Sequence, residues 1–114
     1  MKDSVLKAKV TRRVNSLTRS WNWRKGVYLN PKIVYFEDRT TTAGYCMGTK
    51  TIGFNLRYVR MDVDKFVRLI VPHEVAHLFQ HRLFPKDYHF HSKNWKMLCL
   101  EMGGDGKRFH DFPY

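Results

Sequence analysis

The segment "PHEVAHLFQH", from Pro72 to His81, sets three histidines four residues apart, at His73, His77 and His81, with Glu74 directly after the first. Residues four apart on a helix stand one above the other. His73 and His77 can therefore offer two imidazole nitrogens to one zinc ion, and Glu74 stands one residue round from His73, placed to take a proton from water beside that ion. Two ligands and a general base in the pattern HExxH are the parts that metal-assisted peptide hydrolysis needs. The same pattern also arises by chance in amphipathic helices that merely carry histidine, so on its own it leaves both readings open.

His81 lies eight residues from His73, about 12 Å along a helix that rises roughly 1.5 Å per residue. Zinc–nitrogen bonds are about 2.0–2.1 Å, so one ion cannot hold both. His81 reads as a surface residue or one that supports the ligands from behind. The longer pattern HExxHxxGxxH needs glycine at position 80 and histidine at position 83, where the chain has Gln80 and Leu83, so that class is excluded. A third ligand must come from further along, with His89, His91, His110 and the carboxylate of Asp87 as candidates. His91 is the best placed, because it opens "HSKNWKMLCLEM" where a loop meets a helix that can return across the histidine helix. Tyr88 and His89, beside it, are candidates for steadying a reacting carbonyl oxygen, although a plain surface-loop role fits each better.

The elements that must position these groups read as α+β. Leu6, Val10, Val14, Leu17 and Trp21 recur at spacings of three and four, one face of an amphipathic helix, and Lys2, Lys9, Arg12, Arg13 and Arg19 fall away from that face. Asn30-Pro31 punctuates the chain. "KIVYFE" reads as a strand, and "AGYCMGTKTIGFN" as a hairpin with Gly48, Thr49 and Lys50 near its turn, together giving a small antiparallel sheet of about three strands. Asp62 or Asp64 caps a helix whose periodicity runs from Val63 to about Leu83, with a kink or restart expected at Pro72, which lacks the N–H that would bond the carbonyl of Arg68. Ser92 reads as the cap of a last short helix through Trp95, Leu98, Cys99 and Met102, ended by "GGDG".

With 114 residues, 43% hydrophobic and 15% aromatic, the composition is that of a single globular domain, residues 1–114. No apolar run approaches the roughly 20 residues that span a bilayer. The opening stretch has no apolar signal core, and Cys46 and Cys99 form neither a CxxC pair nor a disulfide framework, so a reducing, cytoplasmic setting and a monomer are expected. Twenty-one Lys and Arg against ten Asp and Glu leave a formal charge of +11. Residues 1–25 hold eight of the cations against Asp3 alone. A polyanion, most commonly nucleic acid, is the natural partner for such a surface, against the plainer reading of a solubilising basic face. The candidate DNA contacts are Lys9, Arg12, Arg13 and Arg19 on the outer side of the first helix, with Trp23, Arg24 and Lys25 at its end. Trp21 and Trp95 fit apolar faces and read as core.

Several spaced motifs carry a resemblance beyond HExxH. "TTAGYCMGTKTIGFNLRYV", "IVPHEVAHLF", "FHSKNWKML" and "KRFHDF" follow one another as in the SprT-like zinc metalloprotease family, which the chain resembles from about Val10 to Phe112. The resemblance implies a compact zincin-like fold: an N-terminal helix, a short antiparallel sheet, the zinc helix and a returning helix. It implies Zn2+ held by His73, His77 and His91, Glu74 as catalytic base, and proteolysis of proteins bound or crosslinked to DNA, in the nucleoid if the cell is bacterial. Many such proteins continue into a cysteine-rich zinc ribbon. With two cysteines this chain carries none, so DNA targeting is expected from the catalytic domain itself or from a partner. Two other readings remain: a DNA-binding module with structural zinc and no protease activity, against which the intact Glu74 argues, and a zinc nuclease.

Overall fold

The computed structural model describes residues 1–113. Its elements are α1 (Asp3–Lys25), β1 (Lys32–Phe36), β2 (Gly44–Met47), β3 (Thr51–Asn55), α2 (Leu56–Met61), α3 (Val63–Leu83) and α4 (Lys93–Glu101). The fold is α+β, as the patterning indicates. Leu6, Val10, Val14, Leu17 and Trp21 of α1 are all buried. This seam packs on α3, where Trp21 meets Phe79 with ring centroids 6.4 Å apart. Gly26 ends α1 in the left-handed region at φ 64°, and its N–H bonds the carbonyl of Asn22. The Asn22 side chain then grips Leu29 twice, donating to its carbonyl at 2.8 Å and accepting from its N–H at 3.0 Å. The chain is thereby turned back into β1.

The sheet is mixed rather than wholly antiparallel. Its order is β1-β3-β2. β2 and β3 form the expected hairpin, with Tyr45 opposite Gly53 and Cys46 opposite Ile52. β1 pairs with β3 in parallel, Val34 opposite Gly53. The tight turn at 48–50 fixes only the hairpin's direction. The loop over residues 37–43 carries the chain across the end of the sheet, so β2 lies on the far side of β3. Asn55, fully buried, fastens that loop: its Nδ2 donates to the Thr42 carbonyl and the Asp38 carboxylate, each at 3.0 Å. Tyr58 adds a hydrogen bond from its hydroxyl to the Thr40 carbonyl at 2.6 Å.

Sequence periodicity overlooked α2, whose six residues are too few for a face to repeat. Asn55 caps it, accepting from the N–H of Arg57 at 3.1 Å. Asp62, rather than Asp64, caps α3 by accepting from Lys65 N–H at 3.0 Å. α3 runs unbroken through Pro72, where a kink or restart is the local expectation. An interior proline costs a helix about 3 kcal/mol or more, and here α1, β2 and α4 all pack on α3 and hold it together. Pro72 is itself buried, and Gly104 approaches it closely: a Cβ at Gly104 would lie 3.1 Å from Pro72 Cβ and 2.6 Å from Cys99 Sγ. Ser92 caps α4, accepting from Trp95 N–H at 3.3 Å. Beyond α4 the chain returns to the core through Phe112, which packs edge-on against Tyr58 at 5.9 Å. No helix among the described residues is long and apolar enough to cross a membrane.

Because one buried amide secures both the 37–43 loop and the start of α2, Asn55→Ala is expected to lower stability by about 2–3 kcal/mol, combining a lost cap with unpaired buried carbonyls. Urea unfolding followed by circular dichroism measures it; a loss under 0.5 kcal/mol contradicts this account.

Candidate metal centre

α3 presents His73 and His77 one turn apart, and the junction before α4 brings His91 against them. His91 Nε2 lies 3.2 Å from His73 Nε2 and 3.3 Å from His77 Nε2. Among the described residues these three form the one cluster of metal-ligand type, with ligand atoms all within 4.8 Å of one another. Two ligands of a tetrahedral ion with bonds of about 2.0–2.1 Å stand about 3.3–3.4 Å apart. The donor set fits such an ion in spacing, and in kind too, since neutral imidazole is a common ligand for first-row metals. Burial, helped by the neighbouring histidines, pushes the pKa of His73 down to about 3. Burial pushes His77 to about 4. Burial lowers His91 as well, with a further contribution from the Arg108 charge. All three rings are therefore neutral at ordinary pH, the form a ligand must take.

The rings are oriented from behind. His77 Nδ1 lies 3.1 Å from Gln80 Oε1. An amide oxygen only accepts, so Nδ1 carries the proton and Nε2 keeps its lone pair for the cluster. The other end of the same amide donates to the carbonyl of His89 at 2.8 Å and to Ser92 Oγ at 3.2 Å. Gln80 thus ties the His77 ring to the loop that delivers His91. Trp95 forms the floor: its indole stacks on His77 at 5.3 Å and meets His73 and His91 edge-on at 4.8 and 4.7 Å. Its Nε1–H donates to the His73 carbonyl at 3.1 Å. Gln80 stands three residues from His77 on the same helix, a spacing that puts side chains in contact and was the available signal for its role.

Glu74 is only 5% exposed. Desolvation raises its pKa to about 8; a cation at the imidazoles acts in the opposite direction. Glycine at position 44 is what lets this carboxyl lie against β2, because a Cβ there would stand 3.1 Å from Glu74 Oε2. Two cavities, of about 520 and 260 Å³, open on either side and both reach His73, Glu74 and His91. β2 supplies one wall of the larger through Gly44, Tyr45 and Cys46.

The remaining candidates lie elsewhere. His81 lines the larger cavity but stays outside the cluster. His110 Nε2 donates to the Thr41 carbonyl at 2.7 Å, and its Nδ1 accepts from Phe112 N–H. The Asp87 carboxylate is taken up by Ser92, Asn94 and Gln80. Tyr88 and His89 are exposed on the cavity rim, and His89 contributes its backbone carbonyl to Gln80. Of the basic group, Arg12, Arg13, Arg19, Trp23, Arg24 and Lys25 are exposed and Lys9 is half-buried. Arg24 and Lys25 lean over the Trp21 ring, at 5.2 and 5.4 Å. Lys9, Arg12 and Arg13 share a shallow groove with Asp64 of α3.

Comparison with known proteins accords with this geometry. The SprT-like family model matches residues 10–111, and the chain belongs to that family. Protein SprT of Salmonella arizonae is 33% identical over 86 residues, 75% of this chain and 52% of that protein. Protein SprT of Salmonella newport and of Salmonella heidelberg are each 31% identical over the same length and the same shares. The chain thus spans about half the length of the curated relatives it matches. No solved structure matches it.

Metal analysis of the purified chain is expected to find one ion, lost in His91→Ala and retained in His81→Ala. Gln80→Leu frees the His77 ring and is expected to weaken metal affinity about 10–100-fold. Chelator competition reads that change, and the reverse order for the two histidines contradicts the ligand set.

Proposed function

We propose that this chain is a zinc-dependent peptidase of the HExxH type that acts on proteins held on DNA. The observation that carries the reading is the convergence of three neutral imidazoles on one point, with the buried Glu74 carboxyl facing the same two cavities. Three protein ligands favour an open, catalytic site over a structural one, which is closed by four. Bound zinc supplies a Lewis acid that lowers the pKa of water toward about 7 and polarises a carbonyl. Glu74, desolvated and held against β2, takes a proton from the attacking water and later hands it to the leaving nitrogen. β2 is one of the sheet's two edge strands, and its outer backbone is placed to pair with an extended peptide. A chain laid there runs past Glu74 from one cavity into the other. Trp95 keeps the ring cluster dry from below.

Association with DNA rests on the +11 charge and on the exposed arginines of α1. Such contacts position the protein on phosphate without reading bases, which suits a peptidase indifferent to DNA sequence.

Glu74→Gln is expected to keep the metal and the fold but to lower peptide cleavage by about 10²–10⁴-fold, since Gln cannot accept the proton. Incubating the metal-loaded protein with a DNA-bound protein and with bare DNA tests the activity itself; cleavage of the bare DNA alone turns the reading toward a nuclease. Affinity for DNA is expected to fall with salt at a log–log slope of about 0.7 to 0.9 per phosphate contacted. Replacing Arg12, Arg13 and Arg19 together by Gln is expected to weaken binding and flatten that slope while metal content and melting stay unchanged. Parental binding by the triple variant assigns those arginines to solvation alone.

A further inference from the structure

Five residues line both cavities beside the imidazole cluster: Gly44, His73, Glu74, His91 and Arg108. The first four are accounted for by the close approach of β2, the ligands and the base. Arg108 is the fifth, and nothing above gives it a task. Its backbone is held from both sides. Gly104 is wedged against Cys99 and Pro72, Lys107 N–H bonds the Asp105 carboxylate at 3.0 Å, His110 donates to the Thr41 carbonyl, and Phe112 is buried against Tyr58. Its side chain, in contrast, is exposed; the guanidinium lies over the Phe109 ring at 5.0 Å and donates no hydrogen bond within the described residues. A fixed stem with an uncommitted five-donor head, bordering both cavities beside the imidazole cluster, is arranged for a ligand oxygen.

We propose that Arg108 is a catalytic hydrogen-bond donor to the carbonyl oxygen of the peptide bond being cut. The inference rests on the peptidase reading above. As the water oxygen bonds to the carbonyl carbon, the π pair of C=O moves onto oxygen, and Glu74 holds the proton released. The guanidinium meets that growing negative charge. When the C=O re-forms, the C–N bond breaks and the proton from Glu74 goes to the departing nitrogen. Tyr88 and His89 are poorer choices, because they reach the larger cavity only, whereas Arg108 borders both. A charged donor that binds the oxyanion more tightly than the ground-state carbonyl raises kcat and leaves KM nearly alone.

The test compares the parent with Arg108→Gln and Arg108→Lys. Losing one such donor is expected to lower kcat by about 10²–10³-fold at nearly constant KM. Lysine keeps the charge but not the planar fork, so its loss is expected to be smaller. The second readout is binding: calorimetry with a phosphonate-linked peptide, whose tetrahedral anion imitates the charged carbonyl, and with the intact peptide in a Glu74→Gln background. Arg108→Gln is expected to weaken the phosphonate peptide about as much as kcat falls, and to leave the intact peptide nearly unchanged. An active parent with an equally active Arg108→Gln overturns the inference while the peptidase reading stands. So does a loss confined to KM, or equal weakening of both peptides. A parent that cleaves no peptide sinks the reading and this inference with it.

Discussion

The centre depends on the two-ended hydrogen bonding of one buried amide. Gln80 accepts from His77 through its oxygen and donates to the His89 carbonyl and Ser92 Oγ through its nitrogen. The two halves enforce one another. If the amide turned over, its NH₂ would face a ring N–H and its oxygen would face a carbonyl, so one orientation survives, and with it one tautomer of His77. The same contacts draw the 84–92 segment onto α3 and set the start of α4 through the Ser92 cap, which in turn places Trp95 beneath the rings. Buried polar groups favour a single arrangement when every member is satisfied, and the members here come from a helix, a loop and a helix cap.

Burial acts on the two chemical classes of the site in opposite senses, to one end. It pushes His73 and His77 far below the usual imidazole pKa, lowers His91, and pushes the Glu74 carboxyl well above its own. In each case the charged form is the one disfavoured. The pocket is thus assembled from groups that carry little charge of their own. A divalent cation entering it meets lone pairs and a carboxyl ready to ionise, with Arg108 bordering both cavities and Lys107 the smaller one.

How much of this is legible in the sequence depends on whether the governing distance runs along the chain or across space. The four-residue step from His73 to His77, the seam of α1, the hairpin turn and the Ser92 cap are local, and each reads directly. The third member reads less directly: among His89, His91, His110 and Asp87 the loop-to-helix junction favours His91, and the packed structure bears this out by sending His110 to Thr41 and Asp87 to Ser92 while bringing His91 to the rings. The parallel pairing of β1 with β3 was hidden because no short-range signal marks a strand inserted on the far side. α2 was hidden by its brevity. Pro72 misleads for the converse reason, a strong local preference overridden by three elements packed around it. Gln80 and Arg108 looked like ordinary polar residues, since what distinguishes them is the company they keep.

The four-residue β2 strand has a bearing on what such a cleft admits. Its inner edge is committed to β3 and its outer edge borders the cavity that holds the Glu74 carboxyl. Backbone pairing at that edge asks a visiting chain for several consecutive extended residues with their own N–H and C=O groups unengaged. Segments already in helices or sheets cannot comply without first coming apart. On the peptidase reading proposed above, selection on these terms would be by conformation: loops, frayed termini and unravelled proteins would gain entry, and an intact neighbour would be spared whatever its composition.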